Sequence, residues 1–159
     1  MSANETTLAT AGFGETGPAA DVVAQRPKIF EMTAVAEEAV LRPKEEGRWP
    51  HPLRAAMAAR IAALNGFGDL AVRYASEAGD FAGLANPARD GVADGLGPVL
   101  AFMDRVAVET RNVVATDISA LQDAGVADAD IVRLSELNAF LAYQIRVVAG
   151  LRLMSEGKP

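Results

Sequence analysis

The chain has 159 residues, a formal net charge of −6, no cysteine and one histidine. That length suits one domain with a real core, and the acidic balance lacks the basic face of a duplex nucleic-acid binder. The missing thiols exclude disulfides, thiolate metal sites and a cysteine nucleophile, and a lone histidine excludes a multi-histidine metal site within one chain.

Half of the residues are apolar and 14 more are glycine. This exceeds the ~45–50% that a soluble domain shows on the same count, so the composition predicts surface hidden in an oligomer. The N-terminal segment lacks a basic start and an apolar run, which argues against a secretory signal and makes the cytoplasm the expected compartment. No apolar run approaches the ~20 residues of a bilayer span, so no membrane partner is expected.

Residues 1–24 read as a flexible arm, punctuated by Gly12, Gly14, Gly17 and Pro18 and without periodicity. Residues 25–159 read as one helical domain. Its first helix starts at Pro27, where proline suits the opening turn, and stops before Pro43. Ile29, Met32, Ala36, Ala39 and Val40 form its predicted apolar stripe. KEEGRWPHP (44–52) is a polar connector, and Pro52 can open the second helix, with Leu53, Met57, Ile61 and Leu64 as its stripe. Asn65-Gly66 breaks it. A third helix runs over 67–78 with Gly79 as its C-terminal cap, and 79–91 is a long loop.

Over 97–110, Val99, Leu100, Met103, Val106 and Ala107 mark another helix. Thr116 is the expected cap of a short helix ending at Gly125, and Asp128 that of the closing helix, 129–154. On that helix Ile131, Leu134, Asn138, Leu141, Ile145 and Val148 lie on one seam, widened by Leu137, Phe140, Val147 and Leu151. So wide a stripe predicts burial on several sides, in the core or between subunits. Nothing alternates with period two, so the predicted class is all-α: an orthogonal bundle of about six or seven helices.

Two stretches, ARIAALNGFGDLAVRYA (59–75) and DIVRLSELNAFLAYQIRVVAGLRLM (130–154), carry a resemblance. The second includes an aromatic-x-x-Arg element, Tyr143 and Arg146, and TDISALQDAGVADADIV (116–132) fits the connection between them. Over roughly residues 25–154 the chain resembles the carboxymuconolactone decarboxylase and alkylhydroperoxidase D family, in particular its peroxidase-related branch. The resemblance implies an AhpD-like helical bundle and a thiol-peroxidase site. In such a site a Cys-x-x-Cys pair opens a helix, where a lowered pKa and a glutamate–histidine relay produce the attacking thiolate. Carried over residue by residue, the glutamate falls at Ala55, the cysteines at Phe67 and Leu70, and the histidine at Tyr74. All four differ from the family's set, so no catalytic residue is assigned and peroxidase activity is not expected.

The remaining polar candidates divide between two uses. Tyr74 either touches a ligand or packs between helices; a phenol of pKa ~10 is a poor general base, which favours packing. Arg60, Arg146 and Asn138 sit on otherwise apolar helices, and a buried arginine needs a partner such as Asp69, Asp104 or Glu136. They bridge helices or line a pocket with Asp69, Tyr74 and Tyr143, where an arginine would hold a carboxylate. His51, between two prolines, reads as a loop or helix-start residue, and the Glu pairs at 37–38 and 45–46 as solvated faces. No cofactor or metal is implied. The leading expectation is a silent scaffold, assembling with itself or with a cysteine-bearing relative. The alternatives are a living antioxidant or decarboxylase-like enzyme with non-cysteine site residues, and a small-molecule binding module.

Overall fold

The computed structural model describes residues 3–12 and 18–156. The protein is all-α, with no strand among the described residues. No helix described is long and apolar enough to cross a membrane.

Among the described residues eight α-helices follow in order: α1 (Ala3–Thr10), α2 (Pro18–Ala24), α3 (Pro27–Leu41), α4 (His51–Leu64), α5 (Gly68–Ala75), α6 (Gly97–Val108), α7 (Ala115–Asp123) and α8 (Asp128–Glu156). Several boundaries fall where the local chemistry demands. Pro27 sits in the first turn of α3, and Pro52 in that of α4. Gly66, just after α4, adopts φ +79°, a left-handed conformation that glycine takes without steric cost. Gly91 is held doubly, by φ +71° and by a side chain: a Cβ there would lie 2.6 Å from Leu100 Cδ1.

α4 is the hub. Leu53 through Ala62 are all buried, and its alanines let α3, α5, α6 and α8 approach. Arg54, in this helix, is buried yet held by three backbone carbonyls, one on each guanidinium nitrogen. It donates to the carbonyls of Trp49 (2.8 Å), Val40 (2.9 Å) and Glu46 (2.7 Å), tying the 44–50 connector to the core. Trp49 is buried with its indole N–H on the Asp130 carbonyl at 2.9 Å. α8 packs against α1, α2, α3, α4, α6 and α7. Its predicted seam, Ile131 to Val148, is buried, and the chain's own helices cover it.

Several expectations change; the third helix, for one, ends at Ala75 with Ser76 as its cap in place of Gly79. The arm is not aperiodic where it is described, since α1 and α2 are helical; residues 1–2 and 13–17 lie outside the described residues. α1 docks. Ala11 and Leu8 join Phe30, Val148 and Leu151 in a small apolar cluster, and Thr6 and Thr7 are buried. α3 is turned relative to the predicted stripe: it buries Phe30, Thr33, Glu37 and Leu41, while Met32 is 71% exposed. Residues 79–91 are not all loop, because Gly79–Ala85 forms a 3₁₀ helix. Thr116 lies inside α7 instead of capping it; Asp117 supplies the cap by accepting the Val114 N–H at 2.9 Å.

The docking of α1 has a measurable consequence. Deleting residues 1–12 strips partners from Gln144 and Glu37 and uncovers Phe30 and Leu151. The loss of about 2–3 kcal/mol should lower Tm by roughly 5–10 °C in a domain of this size. A shift below ~2 °C in a thermal melt would show that α1 contributes nothing to the core.

Candidate functional site

Of the positions matched to the thiol site, Ala55 lies near the start of α4, while Phe67, Leu70 and Tyr74 follow the α4–α5 turn, and all four hold packing side chains. Phe67 is the N-cap residue of α5 and Leu70 lies in its first turn, the place where a helix-opening pair belongs. Ala55, Leu70 and Tyr74 are buried in the main core cluster, and Phe67 packs at its edge. The outer face of Phe67 is covered by the Arg152 guanidinium, 5.5 Å from the ring centroid. Arg152 also donates to the Thr10 carbonyl at 2.6 Å and pairs with Asp69. Asp69 is thus a surface partner of Arg152 and not of the buried Arg60.

Tyr74 is 1% exposed, and its hydroxyl donates to Gln144 Oε1 at 2.8 Å. Gln144 in turn donates through Nε2 to Thr7 Oγ1 (3.2 Å) and to Glu37 Oε2 (3.3 Å). The result is a buried network joining α1, α3, α5 and α8. Burial pushes the Glu37 carboxyl up to about 7, against the Thr6 hydroxyl, Arg42, the Tyr74 hydroxyl and Arg73, which all pull it down. Burial, followed by the Glu37 charge, pushes the Tyr74 phenol far above its ordinary value. A phenol so placed serves as a hydrogen-bond donor, not as a base.

Beside this network, Thr33 donates to the Ile29 carbonyl at 2.8 Å and lies 2.7 Å from Tyr143 Oη. With the single threonine proton committed, Tyr143 is the donor of the second bond. Tyr143 therefore ties α8 to α3.

Arg60 is buried and has all five donors occupied. Nε and Nη2 grip the Asp104 carboxylate at 2.6 and 2.7 Å. The rest reach the carbonyls of Leu84 (3.2 Å), Asn86 (2.8 Å) and Pro87 (3.0 Å). Asn138 is buried too, donating to the carbonyl and sulfur of Met103 at 3.2 and 3.3 Å. Arg146 is exposed and bonds the Ala142 carbonyl at 2.9 Å. Asn138 and Arg146 meet in one cavity; Arg60, Asp69, Tyr74 and Tyr143 do not line it. His51 Nε2 stands at the start of α4, 2.9 Å from the Pro43 carbonyl and 3.2 Å from Glu46.

Sequence reasoning missed Glu37, Gln144, Thr6 and Thr7. Glu37 is no solvated residue, unlike its neighbour Glu38. A signal was present: Glu37 keeps step with Phe30, Thr33 and Leu41, and Gln144 with Leu141 and Val148, at helical spacing. In comparisons with known proteins, the chain matches no family model, no curated protein and no solved structure.

Proposed function

We propose that the chain is a catalytically silent helical scaffold, akin to the carboxymuconolactone decarboxylase and alkylhydroperoxidase D family, in which the thiol site has become core. The observation that carries this reading is Tyr74. At that position the relay needs a group that exchanges a proton with a thiol. Here a buried phenol is engaged by an amide, Gln144, at 2.8 Å. Leu70, at the second cysteine position, is buried as a packing residue, and neither it nor Phe67 can pass through a sulfenic acid or a disulfide. The enzymatic alternative loses its first candidate, because Arg60 has no donor left for a substrate.

The test is a dithiol-coupled peroxide assay on the purified chain. Peroxide should disappear no faster than with the dithiol alone. Turnover clearly above that background, for hydrogen peroxide or an alkyl hydroperoxide, refutes the silent-site reading.

A further inference from the structure

A cavity lies among the end of α4, the end of α6 and the middle of α8, and none of Ala55, Phe67, Leu70 and Tyr74 lines it. Its volume is ≈ 180 Å³. Ile61, Val106, Ala107, Ala142 and Ile145 supply apolar wall, and Asn65, Thr110, Asn138 and Arg146 supply the polar part.

The polar inventory is selective. Asn65 Nδ2 and the Thr110 hydroxyl each donate to a carbonyl of their own helical turn, Ile61 and Val106. Asn138, 2% exposed, commits its Nδ2 to Met103, and its Oδ1 accepts no hydrogen bond among the described residues. Thr110 and Asn138 have committed their donors and keep spare acceptors, and Asn65 keeps one amide N–H beside its oxygen. Arg146 is the opposite: it uses Nη1 on the Ala142 carbonyl and has no carboxylate partner among the described residues. A guanidinium with free donors beside an apolar cavity matches a carboxylate attached to a hydrocarbon body. At ~30 Å³ per water, the cavity holds the equivalent of about six waters, which limits that body to a short branched chain or one ring.

We propose that this cavity binds a small organic carboxylate. Arg146 holds the acid group, Ile61, Val106, Ala107 and Ile145 enclose the hydrocarbon, and the spare oxygens of Asn138 and Thr110 accept from any hydroxyl the ligand carries. The site is independent of the thiol-site positions, so its failure leaves the silent-scaffold reading untouched.

The experiment is a titration of the full chain with isovalerate and benzoate, read by calorimetry and saturation-transfer NMR, with the matching neutral amides as controls. Both acids should bind saturably with Kd near or below ~1 mM, the weak-ligand range for so few atoms. The amides should bind at least ~10-fold more weakly, a difference of ~1.4 kcal/mol. Arg146→Met, at an exposed position, should weaken the acids by a similar factor, and Arg146→Lys should restore part of it. Ala107→Leu keeps the charge but fills the cavity, and should abolish binding. Absence of saturable binding of either acid overturns the proposal. So does binding that survives Arg146→Met, or, in a folded Ala107→Leu protein, binding that remains as in wild type, which would place the acids on the surface.

Discussion

Glu37→Gln is expected to stabilise the protein at pH 8, by up to about 3 kcal/mol, and to flatten its stability between pH 5 and 8. The side chain is 1% exposed, and burial lifts its pKa from 4.5 to about 7. The unfolded chain therefore gives up this proton near the ordinary value, whereas the fold keeps it until about pH 7. A raised carboxyl contributes stability that is fully present below the unfolded pKa and lost as pH rises through the folded one. At ~1.4 kcal/mol per unit, the loss amounts to about 3 kcal/mol across that window. This is opposite in sign to the usual ion-paired carboxylate. Gln keeps an oxygen for Gln144 Nε2 and carries no charge to bury. Urea midpoints at pH 5, 6, 7 and 8 decide it: the two proteins should match near pH 5 and diverge towards pH 8. A gap that stays constant with pH would mean that Glu37 enters the fold ionised.

Arg60→Met is expected to destabilise by about 3–5 kcal/mol, the range for removing one member of a buried pair. Methionine fills much of the space but leaves Asp104, whose side chain is 28% exposed, without its partner. It also orphans the carbonyls of Leu84, Asn86 and Pro87, so the 84–87 segment loses its anchor on α4. Asp104→Asn should cost less, because Asn still accepts one hydrogen bond and Arg60 keeps its three carbonyls. Chemical denaturation at neutral pH measures both. A loss under ~1 kcal/mol for Arg60→Met would show that packing alone holds the segment.

Helix existence and many boundaries were legible because they depend on local chemistry. Pro27 and Pro43 bracket α3, Asn65-Gly66 ends α4, and the wide apolar seam of α8 announces a core helix. That a buried Arg60 needs a carboxylate followed from the cost of burying a lone guanidinium, but Asp104 was one of three candidates and only the structure selects it. What escaped depends on distant partners. α3 buries Thr33 and Glu37 because Tyr143 and Gln144, more than a hundred residues away, satisfy them. Apolar periodicity alone selects its opposite face. α1 is a single short polar helix, too short to be stable by itself, and is specified by contacts with α3 and α8. The hydrogen bond that engages Tyr74 was not legible from any local pattern, since Gln144 comes from another helix.

The reach of α8 also sets the order in which a nascent chain can fold. Gln144 bonds Thr7 and Arg152 bonds Thr10, so α1 meets α8, the last in order of the described helices. Until α8 clears the ribosome, the inward faces of α3, α4 and α6 have no lid, and Glu37 lacks its amide partner. At ~5–20 residues per second, the 29 residues of α8 take roughly 1.5–6 s to synthesise. Throughout that interval α4 has α3, α5 and α6 against it, and the face that meets α8 stays wet.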